Sequence, residues 1–360
     1  MSDDESQVNS HPVVHISHGS YAADIATYGG GVRSLTYSGS PLMDGYAEGD
    51  YPPLSANVVL APWPNRVRDG RFHSHGHTYQ LTMTEPSRNN AIHGFVANTV
   101  WQITPADHHD ANPSAVTLTT TVEPREGWPW TLDITSTYEL SDVGLTCTCA
   151  ITNVSDHYPH RASAVNNDKH CRLAPVAYGF HSYLNALGSP LNECILDIPV
   201  HSHLLLDPVR KLPTGTIIDA RHTLGPAITT DDVPTDTYPM GSNQGAPVHR
   251  IHLRDQLFDD CFRINPRAES HTGLIRAARL LNTAGQGTEL WTSPRMRWLQ
   301  IFTADPTWGH TYPSRGRAIA VEPMTAPPDA LNSGTDIEEI APGESFTVQW
   351  RIAYSSGRGG

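Results

Sequence analysis

The stretch Thr131 to Thr152, TLDITSTYELSDVGLTCTCAIT, decides the fold. Leu132, Ile134, Ser136, Tyr138 and Leu140 share one parity, and Thr131, Asp133, Thr135, Thr137 and Glu139 share the other. After Ser141-Asp142-Val143-Gly144 the alternation resumes, with Leu145, Cys147, Cys149 and Ile151 set against Thr146, Thr148, Ala150 and Thr152. A period of two sends successive side chains to opposite faces of a pleated ribbon, so each half reads as a half-buried strand and the segment between as a turn. Working outward, Val116, Leu118 and Val122 alternate with threonines, and Phe346, Val348, Trp350, Ile352 and Tyr354 alternate with Thr347, Gln349, Arg351 and Ala353. Asp69-Gly70 reads as a further turn. No convincing amphipathic helix exceeds about ten residues, well within the usual helix length. Strands without intervening helices predict an all-β fold, a large antiparallel β-sandwich, as one domain over residues 13–354. Residues 1–12 and 355–360 are expected to be disordered ends. Cys147 and Cys149 lie on the apolar parity of their strand and are expected in the core.

Composition narrows the function. The 360 residues include 28 Gly and 29 Pro, which favours turns over long helices. The formal charge is -13 at pH 7. An acidic chain repels a phosphate backbone, so no nucleic-acid partner is expected. The start, MSDDESQVNSHPVV, lacks the basic and apolar regions of a secretory signal, and no apolar run of about 18 residues predicts a membrane span. The cysteines Cys147, Cys149, Cys171, Cys194 and Cys261 are sparse and odd in number, which fits reduced thiols in a cytoplasmic protein. A monomer or weak dimer is expected.

Two stretches, 159–173 and 224–250, are polar and aperiodic and read as long loops between strands. His73-Ser74-His75-Gly76-His77 offers imidazoles at strand spacing, which could meet a metal, or it is an exposed hairpin around Gly76. The hairpin is the preferred reading, and no catalytic metal is expected. His108-His109 and His201-Ser202-His203 are weaker signals of the same kind. There is no Gly-x-Ser-x-Gly elbow, phosphate-binding loop or dinucleotide fingerprint, so no cofactor is expected.

Four segments are not explained by strand building. Ala61-Pro62-Trp63-Pro64-Asn65-Arg66 breaks a strand and presents an Arg. Asn89-Asn90-Ala91-Ile92-His93-Gly94 sets a His before a Gly in a turn. Tyr178-Gly179-Phe180-His181-Ser182-Tyr183-Leu184 sets a His among aromatics. Val321-Glu322-Pro323 places a Glu at the end of an apolar strand, ahead of the Pro-rich loop Pro327-Pro328-Asp329-Ala330. Phe258-Asp259-Asp260-Cys261-Phe262, Pro328-Asp329-Ala330-Leu331-Asn332 and the closing Pro342-Gly343-Glu344 follow in order. Together these segments resemble the aldose 1-epimerase (galactose mutarotase) family, from about Pro62 to Glu344. Ser182 and Leu184 depart from that family's Pro and aromatic, a difference that bears on sugar preference.

The resemblance implies a galactose mutarotase-like supersandwich, a free hexose as substrate, and interconversion of its α and β anomers by ring opening and closure. It implies Glu322 as base at the C1 hydroxyl and His181 as acid at the ring oxygen. Arg66, His93 and Asp259 would hold sugar hydroxyls, and Arg66 would also favour the charged form of Glu322. Trp63, Phe180 and Trp298 are candidates for an aromatic wall under the sugar. Two other readings stay open: a hexose-6-phosphate 1-epimerase, for which Arg68, Arg71 and Arg88 would supply cations, and a non-catalytic sugar-binding sandwich.

Overall fold

A computed structural model describes residues 11–104, 113–155, 172–228 and 246–357. The expectations on residues 1–10, His108-His109, Cys171, most of the two long loops and the last three residues lie outside the described residues.

The Thr131–Thr152 stretch forms two long paired strands, Leu132–Ser141 and Gly144–Asn153, joined at Asp142-Val143. Register sets Tyr138 opposite Cys147, Ser136 opposite Cys149 and Ile134 opposite Ile151, so the predicted apolar parities meet on one buried face. The hairpin sits within a ten-stranded sheet. Ala115–Val122 flanks it on one side and Ser345–Ser355 on the other, followed by Gly287–Thr292 and Leu274–Leu281.

A second sheet of eight strands carries, in spatial order, Pro213–Asp219, Val200–Leu206, Asp259–Ile264, Trp298–Ala304, Ala318–Met324, Gly179–Phe180 and Val59–Leu60, with Tyr183–Leu184 also on Ala318–Met324. The pairs are antiparallel. One continuous apolar core joins the inner faces of both sheets, drawing Leu132, Ile134 and Trp350 from one and Leu299, Ile301, Ile319 and Val321 from the other. Phe180 stacks on Trp350 at 4.1 Å between ring centroids, and the Trp350 indole donates to the Tyr178 hydroxyl at 2.9 Å. This is the all-β sandwich the alternation predicts. The described α-helices, Arg221–Leu224 and Ala330–Ser333, are single turns. No described helix is long and apolar enough to cross a membrane.

The strand Ala318–Met324 is buried on both faces, which explains its near-continuous apolar run. Ile319 and Val321 enter the main core; Ala318 and Ala320 pack with Tyr183 and Tyr312 on the opposite face. By parity Glu322 belongs to that opposite face.

His73 to His77 form the predicted hairpin. Strands Arg71–Ser74 and His77–Gln80 meet at His75-Gly76, both at positive φ. The imidazoles do not converge: His73 Nδ1 hydrogen-bonds with the Thr78 hydroxyl at 2.8 Å, and His75 Nε2 lies 2.9 Å from Glu339. Cys147, Cys149, Cys194 and Cys261 are buried and unpaired.

Candidate active site

The outer face of the eight-stranded sheet collects the polar residues. Gln300 pairs with Glu322, Phe302 with Ala320, Cys261 with Gln300 and Asp259 with Phe302. Asp259, Gln300, Phe302 and Glu322 therefore project from three adjacent strands to the same side. They line a cavity of about 240 Å³ together with Leu54, Asn65, Arg66, Glu85, Arg88, His93, His181 and His310. All five residues singled out in the sequence, Arg66, His93, His181, Asp259 and Glu322, border this one space.

One sequence expectation needs correction. Glu322 does not end its strand; Pro323 and Met324 continue it, paired with Leu299 and Trp298. A proline lacks the N–H that a central strand requires. It is accommodated because the facing segment turns tightly at His181: the Phe180 carbonyl, which Pro323 faces, already accepts from Ser182 N at 2.9 Å. Glu322 is thus 2% exposed, more deeply buried than a residue at the sandwich mouth.

Each side chain is held from an identifiable direction. His181 lies between Phe180 and Ser182, and the Ser182 hydroxyl donates to Val321 O on the Glu322 strand. The His181 ring stacks on Tyr183 at 5.4 Å and meets His93 edge-on at 5.4 Å. His93 and Gly94 both take left-handed backbone, φ 64° and 68°. A side chain at Gly94 would place its Cβ 2.0 Å from Ala61 O, so the His-Gly order is a steric requirement of this turn. The Pro-rich loop after Glu322 serves Arg66: Asp329 N donates to Arg66 O at 2.7 Å, and Asp329 Oδ1 accepts from Arg68 N at 2.9 Å. Asn332 Nδ2 donates to Asp329 Oδ1 at 2.8 Å and fixes that carboxylate.

His181 Nε2 lies 3.5 Å from Glu322 Oε1. Burial pushes the Glu322 carboxyl well above the usual carboxylate range; Asp259 adds to the rise and Arg66 opposes it. Burial pulls the His181 imidazole down to about 4, helped by Arg66. His93 is also driven well below its ordinary value by burial, then by His181 and Arg66. Asp259 accepts from Gln300 Nε2 at 2.9 Å and lies 3.4 Å from Lys211 Nζ. Four covered polar atoms at the cavity have no hydrogen-bond partner in the protein: Glu322 Oε2, His181 Nδ1, His93 Nδ1 and Gln300 Oε1.

The aromatic-wall expectation is corrected. Trp63 packs against Phe95 and Trp128, Phe180 against Trp350, and Trp298 beside Leu204, Cys261 and Met324. None of the three lines the cavity. Phe302 does, with His310 edge-on at 5.4 Å and Trp308 stacked behind it. Glu85, Gln300, Phe302, His310 and Lys211 are absent from the sequence reading. Gln300 carried a faint signal, a lone amide within the apolar run Trp298-Leu299-Gln300-Ile301-Phe302. Of the three cations considered for a phosphate, Arg68 is paired with Asp329, Arg71 lies on the exposed hairpin, and only Arg88 borders the cavity. Among the described residues no group of three or more His, Cys, Asp or Glu side chains could hold a metal ion.

A family model described as aldose 1-epimerase matches residues 12–353. The uncharacterized protein YihR of Escherichia coli K12 is 25% identical over 347 residues, 94% of this chain and 92% of that protein. A galactose mutarotase-like protein from Clostridium acetobutylicum has a TM-score of 0.73 at 19% identity, covering 98% of this chain and 97% of its own. Galactose 1-epimerase from Lactobacillus acidophilus NCFM has a TM-score of 0.66 at 19% identity, covering 95% and 94%. At these identities the solved structures speak for the fold.

Proposed function

The chain belongs to the aldose 1-epimerase family, and from that premise we propose that it interconverts the α and β anomers of a free hexose such as glucose or galactose, at the cavity bounded by Glu322 and His181. The observation that carries the proposal is the set of four unpartnered polar atoms, Glu322 Oε2, His181 Nδ1, His93 Nδ1 and Gln300 Oε1, gathered at one cavity. Buried polar atoms left without partners are costly, and a polyhydroxylated ligand would satisfy them.

The step balances without a further reactant. Glu322 takes the proton of the C1 hydroxyl as the C1–O5 bond breaks. The bond's electron pair goes to O5, which takes a proton from His181. The open-chain aldehyde turns about C1–C2, and both transfers reverse on the other face. The pair carries one proton at each stage: on His181 before opening, on Glu322 after. Burial strengthens Glu322 as a base and His181 as an acid, which favours both transfers. These same directions favour the proton on Glu322 over His181 until sugar binds. Hydroxyl donors on the carboxylate then favour its charged form and move the proton to His181. Arg66, His93 and Asp259 would hold the other hydroxyls, and Phe302 offers a ring to the sugar's apolar face.

The pairing of an acid and a base 3.5 Å apart supports an enzyme over a passive sugar-binding sandwich. A cytoplasmic setting is part of the reading, supported by the unpaired state of the four described cysteines. Polarimetry on freshly dissolved α-D-glucose and α-D-galactose tests it. Relaxation faster than in buffer is expected. Saturable sugar binding without faster relaxation would leave only a binder, and acceleration confined to glucose 6-phosphate would move the substrate class.

A further inference from the structure

We propose that Glu85 is a positioning residue whose carboxylate fixes the Arg66 guanidinium and keeps that charge from pairing with Glu322. The inference rests on the epimerase reading for its kinetic consequences, though not for its geometry.

Arg66 Nε donates to Glu85 Oε2 at 2.8 Å and Nη2 donates to Oε1 at 3.0 Å, a two-pronged pair between largely buried side chains. Glu85 also accepts from Arg88 Nη1 at 3.0 Å and Asn90 Nδ2 at 3.1 Å. Its own placement is fixed by the loop it closes. Glu85 N donates to Asn90 O at 2.9 Å and Asn90 N donates back to Glu85 O at 3.2 Å, across the turn Pro86–Arg88 with Asn89 in left-handed backbone. Arg210 braces that turn from outside, donating to Arg88 O, Asn89 O and Asn90 Oδ1. The loop backbone, Asn90 and Arg88 therefore hold the carboxylate independently of Arg66. With Nε and Nη2 engaged, Arg66 keeps Nη1, 3.5 Å from Asn65 Oδ1, for whatever enters the cavity.

Glu322 is faced by Gln300 and Asp259 from the neighbouring strands, His181 from the segment after Gly179, and Arg66 from the strand Arg66–Arg68. Cys261 and Tyr183 also sense its charge, and Lys211 faces Asp259. Without the Glu85 charge, Arg66 and Arg88 would both remain at the cavity as cations, beside the His93 and His181 imidazoles, with Asp259 and Glu322 as the anions left there. A bare cation favours carboxylate over carboxylic acid and imidazole over imidazolium. Glu322 would become a weaker base and the whole pH profile would move toward acid.

Glu85→Gln keeps the shape and removes the charge. It should raise the sugar KM about tenfold and move both limbs of the kcat/KM profile acidward by about one pH unit, since a nearby opposite charge lowers a carboxyl pKa by about that much or more. Glu85→Asp keeps the charge, so its limbs should stay in place while KM rises less. In the unaltered protein, the Arg66 Nε–Hε signal, assigned by its loss in Arg66→Lys, should show slowed guanidinium rotation. Folded Glu85→Gln with unchanged KM and limbs would overturn the proposal, as would a freely rotating Arg66 guanidinium. An inactive wild type with a locked Arg66 would remove the epimerase reading and leave the positioning role standing.

Discussion

Replacing Glu322 by Gln exchanges one oxygen for an amide at a side chain that is 2% exposed and whose Oε2 has no protein partner. The volume is kept, so no cavity opens and the neighbours need not repack. What disappears is the proton acceptor at the C1 hydroxyl. A positioned general base contributes about 10²–10⁴-fold, equivalent to about 2.7–5.4 kcal/mol of barrier. The kcat should therefore fall by at least about 10²-fold. Stability should respond in a pH-dependent way. Burial and Asp259 raise the folded carboxyl above its ordinary value of 4.5. Its contribution is complete below that value and is lost as pH rises through the folded pKa, because the unfolded chain releases the proton first. Gln carries no such dependence, so the Tm of the variant minus that of wild type should increase from pH 5 to pH 8. Polarimetry gives kcat and thermal denaturation at the two pH values gives the Tm difference. Near-normal kcat in folded Glu322→Gln would refute the assignment of the base. A Tm difference that shrinks with pH would refute the buried, raised carboxyl.

The other expectations concern the remaining groups. His181→Asn should lower kcat by about 10²-fold, and with Glu322→Gln the combined loss should be smaller than the product of the two, because residues acting on one proton relay are not additive. Asp259→Asn should raise KM at least as much as it lowers kcat; steady-state kinetics showing a pure kcat loss would move Asp259 into the proton chemistry. Dialysis against a chelator should leave activity unchanged. Loss of activity restored by zinc would show that imidazoles such as His73 to His77 were misjudged.

The sheet was legible wherever one face is buried and the other wet. Leu132 to Leu140 and Phe346 to Ile352 announce their faces residue by residue, because pleating converts parity into burial. Parity is silent where both faces are covered. The run Ala318 to Val321 therefore marked a strand but hid which side Glu322 takes and how far the strand continues past Pro323. Arg66, His93, His181 and Glu322 stand out because unusual neighbours surround them: two prolines, a His-Gly turn, a His among aromatics, a Glu on an apolar strand; Asp259 enters only through the family resemblance, which also implies the roles of all five. Gln300 and Phe302 sit in an ordinary-looking strand and become part of the cavity only through their pairing with Glu322 and Ala320. Glu85 acts through a cross-loop ion pair, and Lys211 approaches Asp259 from a distant connection; neither leaves a local mark. Trp63, Phe180 and Trp298 misled because a large aromatic reads the same in a core as on a cavity wall, and all three are core.

Anomeric exchange measured at equilibrium tests the central claim most directly. In a solution of glucose or galactose at its final anomer ratio, exchange NMR between the α and β H1 signals reports ring opening without any net reaction. The account predicts cross-peaks in the presence of protein that exceed those in buffer, an unchanged anomer ratio, retention of an ¹⁸O label at O1, and loss of the excess exchange in the Glu322→Gln, His181→Asn double variant. Exchange no faster than in buffer for every free aldose tried, or exchange accompanied by loss of the O1 label to water, would contradict it.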